Sequence, residues 1–394
     1  MKDNTELVFT GDIGFDKYMD KKWEDDSLVS PSILDFLQSG DHLIVNVEGP
    51  LCAKNNDIVG GKNLDEKAAS LLHSMDADAT KFLDRIGADI WNICNNHICD
   101  AGAAGIESTL LLAKEHNAMT LGAGMNISQA SSPIILNEAG GIGMISVGYQ
   151  RACRKASEEN AGCFSWSDLG LIKQRISEIK KTCKWCIIVA HAGEEFTALP
   201  SPYTRNRYLE YLNMGADIIV AHHPHVPMNY ETFPDGKAIF YSLGNFVFDT
   251  DYQRSQFNTE KGIILKLKLS SDSFEFIPIG IKIDRDTEKI LESDLPLIFE
   301  NVCEEEYNLL SPLAAKMFIA NTKRQLKYMK PDQFLNATED DFIKNFYEPL
   351  RSGRVPGECL DFQLIYPLSL KAEAGEWKKS QLENVKQFIL EQIP

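Results

Sequence analysis

Five apolar runs in this chain stop abruptly in side chains that bind metals or move protons, and that recurrence limits the folds open to it. Glu6–Thr10 ends at Gly11-Asp12. The run from His42 turns polar at Asn46 and Glu48, and the one from Ile90 breaks at Asn95-Asn96-His97. Trp185–His191 continues into Ala192-Gly193-Glu194-Glu195, and the run from Ala216 ends in His222-His223-Pro224-His225. Each run is short and rich in β-branched residues, which predicts a strand. Segments with apolar residues at three- and four-residue steps separate them: Pro31–Gln38, opened by Ser30-Pro31, then Lys62–Gly87, Ala103–His116, Ser165–Thr182 and Tyr203–Met214. Strands alternating with helices predict an α/β fold, and open α/β sheets bind ligands at the carboxyl ends of their strands.

Short strands are expected near Ala118–Leu121 and Gly141–Val147. The character changes after Val226, where Ala238–Ser242, Gly262–Leu269 and Phe274–Ile277 alternate without helical spacing and predict an antiparallel section. Beyond Asp284 helical spacing returns, in Cys303–Lys330 and Trp377–Ile393. The expected organisation is therefore a main domain over residues 1–284 and a mostly helical C-terminal extension over residues 285–394.

A formal net charge of −17 argues against nucleic acid or an anionic membrane surface as partner, since both demand basic patches. A small anionic or polymeric substrate remains compatible if metal ions supply positive charge locally. No basic n-region with a long apolar stretch opens the sequence, and no later stretch is apolar enough for a membrane span, so the chain as given reads as cytoplasmic. Nine scattered cysteines read as reduced thiols, and Cys183-Lys-Trp-Cys186 as ordinary thiols leading into a strand, because no second pair follows.

Five of the eight histidines (His97, His191, His222, His223 and His225) lie at strand ends, beside carboxylates at two further ends. Imidazoles and carboxylates without an obvious thiolate suit divalent Mn, Fe, Zn or Mg. The candidate ligands outnumber those of one tetrahedral site, which favours two metal ions.

In order, Gly11-Asp12, Asn46-Val47-Glu48, Asn95-Asn96-His97-Ile98-Cys99-Asp100, His191-Ala-Gly-Glu-Glu195 and His222-His223-Pro-His225 resemble the CapA, or poly-γ-glutamate capsule synthesis, family (PGA_cap), which is related to the calcineurin-like metallophosphoesterases. Tyr241–Asp249, Gly122-Ala-Gly124 and Gly215-Ala-Asp217 extend the likeness, which runs from about Leu7 to Leu269. The resemblance implies a four-layered α/β sandwich of the metallo-dependent phosphatase type. It implies Asp12 and His225 on a first metal, Glu48 as the bridging carboxylate where phosphoesterases commonly carry Asp, and Asn96, His191 and His223 on a second. His97 is left free to protonate a leaving oxygen or steady the transition state, with Asp100 orienting its ring or capping the next helix; Asn46 is a candidate substrate contact, and Glu195 and Asn245 are candidates for contact with the substrate or with the metal ligands. The implied activity is metal-dependent hydrolysis of a phosphoester. The alternative is an accessory role in making or trimming an anionic polymer such as poly-γ-glutamate, or amide cleavage without phosphatase activity. Members in that role often act outside the cell, anchored to the membrane.

Overall fold

The computed structural model describes residues 3–52, 72–149 and 153–310. In chain order the strands are β1 (Asn4–Gly14), β2 (His42–Val47), β3 (Leu51–Cys52), β4 (Met75–Asp76), β5 (Ile90–Asn92), β6 (Met119–Leu121), β7 (Ala123–Gly124), β8 (Ile134–Leu136), β9 (Ile142–Gly148), β10 (Gly162–Cys163), β11 (Trp185–His191), β12 (Ile218–His222), β13 (Tyr230–Thr232), β14 (Ala238–Phe240), β15 (Asn245–Phe248), β16 (Lys261–Ser270), β17 (Phe274–Asp284) and β18 (Lys289–Ser293). The longer helices are α1 (Pro31–Gln38), α2 (Thr80–Ile86), α3 (Gly102–Glu115), α4 (Leu169–Ile179) and α5 (Pro202–Met214). One large sheet runs β18-β17-β16-β1-β2-β5-β6, with β15 on the far end of β1, and a second runs β13-β14-β12-β11-β9-β8.

Period-two alternation sorts the apolar strand residues among three clusters. Leu7, Phe9, Ile44 and Ile90 of the first sheet meet Ile187, Val189, Ile218 and Val220 of the second in one cluster between the sheets. Val8, Leu43, Val45 and Trp91 point the other way, onto Ile33, Leu37, Phe82, Leu83 and Ile106 of α1, α2 and α3. On the opposite side, Ile188, Ala190, Ile219 and Ala221 pack on Ile172, Ile176, Tyr208 and Tyr211 of α4 and α5.

The same phase decides where the polar strand ends point. Asn46 and Glu48 follow Ile44, Asn92 follows Ile90, His191 follows Val189 and His222 follows Val220, all on the face between the sheets. A buried aliphatic side chain at such a position is worth about 1.5–3 kcal/mol. Polar groups forgo that gain, so these strand ends are not built for stability. Asp12 reaches the same face through an irregularity in β1, whose register slips between Phe9 and Ile13. Gly11 permits it: a Cβ there would lie 2.2 Å from the Gly244 carbonyl oxygen, and that carbonyl accepts the Asp12 N–H at 3.0 Å.

Three expectations change. The helix foreseen over Lys62–Gly87 is, within the described residues, the strand Met75–Asp76, a 3-10 turn and a helix only from Thr80, while its first part lies outside them. Apolar spacing alone does not separate a short strand and turn from a helix. The section after Val226 is mixed: β16, β17 and β18 are antiparallel, but β14 joins β12 and β15 joins β1 in parallel. The sheet also continues past residue 284, since β18 pairs with β17 and Val302, Tyr307 and Leu310 are buried. The expected helices beyond residue 310 lie outside the described residues.

Candidate metal centre

Among the described residues one group has the geometry to hold a metal ion: Asp12, Glu48 and His191, all buried, with ligand atoms within 4.8 Å of one another. They come from the ends of β1, β2 and β11, so both sheets contribute. His222 ties the sheets together at this point, its Nε2 donating to the Thr10 carbonyl at 2.9 Å. That acceptor places the His222 proton on Nε2.

The donor set fits a cation. Asp12 Oδ2, both Glu48 oxygens, His191 Nδ1 and His223 Nδ1 are buried without a hydrogen-bond partner. Unsatisfied buried carboxylate oxygens are costly unless a cation neutralises them. Within the chain that cation is His225, whose Nδ1 lies 3.3 Å from Asp12 Oδ2 and Nε2 3.6 Å from Glu48 Oε1. Burial opposes charge on His225, but Glu48 and Asp12 override it and push the imidazole up to about 10. Burial, then the Asp12 charge, push Glu48 well above the ordinary carboxyl range. His191 is pushed well down by burial and its histidine neighbours, and His223 to about 3 by burial and by His225. Neutral imidazoles are the metal-ligating form.

The backbone is strained here, as functional loops often are. His223 and His225 have φ of 98° and 59°, and Phe196 has 60°. The His225 ring lies between Phe248, stacked at 5.0 Å and 14°, and Phe196, at 5.9 Å and 24°. Asn245 Oδ1 accepts from His225 Nδ1 at 3.0 Å, while its amide nitrogen donates to the Thr259 carbonyl at 2.8 Å. Asn245 thus aims the imidazole from behind.

Asn46, expected at the substrate, is fully buried: its nitrogen donates to Asp12 Oδ1 at 2.8 Å and its oxygen accepts from Asn92 at 2.7 Å. It is a strut that orients Asp12. Asn96 Oδ1 lies 2.8 Å from His191 Nε2, beside the triad. Glu195 is half-buried, and burial raises its carboxyl against the pull of His225 and His73.

His97 Nδ1 is 2.7 Å from Asp100 Oδ2. The residue that caps α3 is Ala101, without a side-chain bond, so the Asp100 carboxylate is directed at the histidine and not at the helix. Burial lifts Asp100 to about 7, and burial together with His73 and His225 holds His97 well below its ordinary value. Opposed shifts of this kind leave one proton shared between the two side chains. Asn95 braces the loop, donating to the Val47 carbonyl at 2.7 Å and accepting the His97 N–H at 3.2 Å.

Two residues at the site carried no strand-end signal. His73 lies edge-on to His97, with ring centroids 4.1 Å apart, and Asp16 bonds its Nδ1 at 2.7 Å. Asn92 was legible in principle, since it shares the inward phase of Asn46. Cys183 and Cys186 are buried and free, without a bond between them.

The sequence model of the family described as "Bacterial capsule synthesis protein PGA_cap" matches residues 6–250. "PGA biosynthesis protein CapA" of Bacillus subtilis (strain 168) is 29% identical over 279 residues, 69% of this chain and 70% of that protein. "Capsule biosynthesis protein CapA" of Bacillus anthracis is 31% identical over 228 residues, 56% of this chain and 54% of that protein, so the match spans about half of its length. Among solved structures, TT1561 of Thermus thermophilus aligns with a TM-score of 0.36 at 9% identity, over 69% of this chain and 98% of that one, too loosely to bear on the fold. No helix among the described residues is long and apolar enough to cross a membrane.

Proposed function

This chain belongs to the bacterial capsule synthesis protein PGA_cap family, and from that premise we propose that it is a metal-dependent hydrolase acting on an anionic substrate between the two sheets. The observation that carries the reading is the set of buried, donorless oxygens of Asp12 and Glu48 beside His191, with the His97–Asp100 pair on the loop that brings Asn96 to His191. We read the fold as a four-layered sandwich of the metallo-dependent phosphatase type, whose main domain runs past residue 284 to take in β18. The apolar cluster between the sheets and the helices on their outer faces support that reading.

Asp12, Glu48 and His225 are assigned to one ion, and Glu48, Asn96, His191 and His223 to a second. Divalent ions held there supply Lewis-acid neutralisation of charge developing on a phosphoryl or acyl centre. The chain's own residues do the rest. Asn46 and Asn245 hold Asp12 and His225 in place, and partners of this kind typically change metal affinity about 10- to 100-fold when removed. Phe196 and Phe248 wall the pocket against water. With the shared proton in the Nδ1–Oδ2 contact, Nε2 carries a proton of its own; Nε2 gives that proton to the leaving oxygen as the shared one settles on Nδ1, which leaves a neutral ring and the Asp100 carboxylate. General acid catalysis of this sort is worth about 10²- to 10⁴-fold.

The test is metal content followed by hydrolysis of an aryl phosphate with added manganese. Wild type is expected to bind metal and hydrolyse, Asp12→Ala to lose metal and activity, and His97→Ala to keep metal and lose activity about 10²- to 10⁴-fold. Failure to bind any divalent ion overturns the proposal. The curated names of the relatives favour a second reading, action on poly-γ-glutamate or a related capsule polymer. Metal binding without phosphoester cleavage, together with shortening of poly-γ-glutamate, selects it.

A further inference from the structure

We propose that His73, held by Asp16, is a second imidazole that contacts the substrate, donating a hydrogen bond to one of its anionic oxygens beside the one served by His97. The proposal rests on the reading that substrate reacts over the Asp12–Glu48–His191 centre.

His73 is brought to this place by the two carboxylate strands. Asp16 lies just beyond the end of β1, four residues after Asp12, and its Oδ2 holds His73 Nδ1 at 2.7 Å. Gly49 follows Glu48 with φ of +120°, and a Cβ there would lie 3.3 Å from the His73 carbonyl oxygen. Only glycine lets the turn after Glu48 run this close to His73 without strain.

The ring is joined to the proposed centre on three sides. It meets His97 edge-on at 87°, with centroids 4.1 Å apart, and Phe248 at 5.0 Å; Phe248 in turn stacks on His225. The His73 backbone N–H donates to Asp100 Oδ2 at 2.8 Å, the oxygen that also bonds His97 Nδ1. Two imidazole–carboxylate pairs are therefore interlocked through one carboxylate. In each, Nδ1 is committed to its aspartate, which leaves Nε2 for a ligand. The side chains are 8% and 15% exposed, so each ring opens only at an edge.

His42 and His116 also carry an aspartate on Nδ1, so what sets His73 apart is its place against His97 and its share in the Asp100 carboxylate. Paired nitrogens suit an oxyanion with more than one oxygen, a phosphoryl or carboxylate group, which binds best to donors set at an angle to one another.

The experiment uses the full chain loaded with manganese and inorganic phosphate as the probe, read by isothermal titration calorimetry. His73→Gln is expected to weaken phosphate binding about tenfold at unchanged metal content, and Asp16→Asn, which frees the ring to turn, about threefold. In wild type, phosphate is expected to protect His73 from carbethoxylation, mapped by mass spectrometry, so a variant that fails to fold does not remove the test. An affinity within twofold of wild type in His73→Gln, absence of protection, or absence of phosphate binding by wild type overturns the proposal. Neither readout requires turnover, so they separate this proposal from the hydrolase reading: a protein that binds phosphate through His73 yet cleaves nothing retains the first and loses the second.

Discussion

Replacing His225 with glutamine in metal-free protein tests whether the centre is held together by charge. The imidazole sits 3.3 Å from Asp12 and 3.6 Å from Glu48. At an effective dielectric of about 20 the Asp12 contact is worth roughly 5 kcal/mol of attraction, of which burial takes back a large part. The net follows from the proton. An imidazole raised from 6.5 to about 10 contributes stability that is fully present below pH 6.5 and lost as pH rises through about 10. Linkage then gives a contribution of about 4 kcal/mol near neutral pH that falls to about 1–2 kcal/mol by pH 9. The value at pH 7 agrees with the roughly 3–5 kcal/mol that breaking a buried ion pair costs. The assay is guanidinium unfolding in chelator at pH 6, 7 and 9, comparing wild type with His225→Gln. The expected result is a deficit in the variant that shrinks as pH rises. A deficit below about 1 kcal/mol at pH 7, or one that does not change with pH, refutes the electrostatic account.

Metal loading at pH 7 is expected to displace the His225 proton, so calorimetric titration in buffers of different ionisation enthalpy should report release of about one proton or more per protein. Asn245→Ala removes the acceptor that aims His225 Nδ1 and should lower metal affinity about 10- to 100-fold, measured by competition with a chelating dye, while the far-ultraviolet circular dichroism is unchanged. Away from the centre, Glu231 pairs with Arg205 at 2.6 Å and accepts from Tyr241 at 2.9 Å, all buried. Glu231→Gln should cost about 3 kcal/mol in chemical denaturation without changing metal content.

Much of the centre was legible because strand phase is a property of sequence. Leu7 and Phe9, Ile44, Ile187 and Val189, Ile218 and Val220 mark one face of their strands, and Asn46, Glu48, His191 and His222 continue it. Asn92 obeys the same rule and was legible on that ground. Phase has no hold on His73, which lies in irregular backbone just before β4, so its place beside His97 came only with the structure. Asp12 is intermediate: its position at a strand end was evident, but the register slip that turns it inward depends on Gly11 meeting Gly244, residues more than two hundred positions apart in the chain.

The roles within the centre show the same division. Asn46 was expected at the substrate, yet its amide is spent between Asp12 and Asn92. Asp100 had two roles open to it, and the geometry turned it to His97. A side chain's chemistry is local, whereas its partners are chosen by whichever strand or loop packs against it.

Sequence alone determined the alternation of strands and helices, the phase of each strand and the presence of a carboxylate–imidazole set at the strand ends, because each follows from the near-neighbour spacing of apolar and polar residues. Tertiary structure decided which of those side chains share one space, that β14 and β15 join as parallel strands, that the sheet continues beyond residue 284, and that His225 lies against Asp12 and Glu48. Those outcomes are contacts between distant segments, and their energies depend on distance and burial, quantities that exist only once the two sheets have packed.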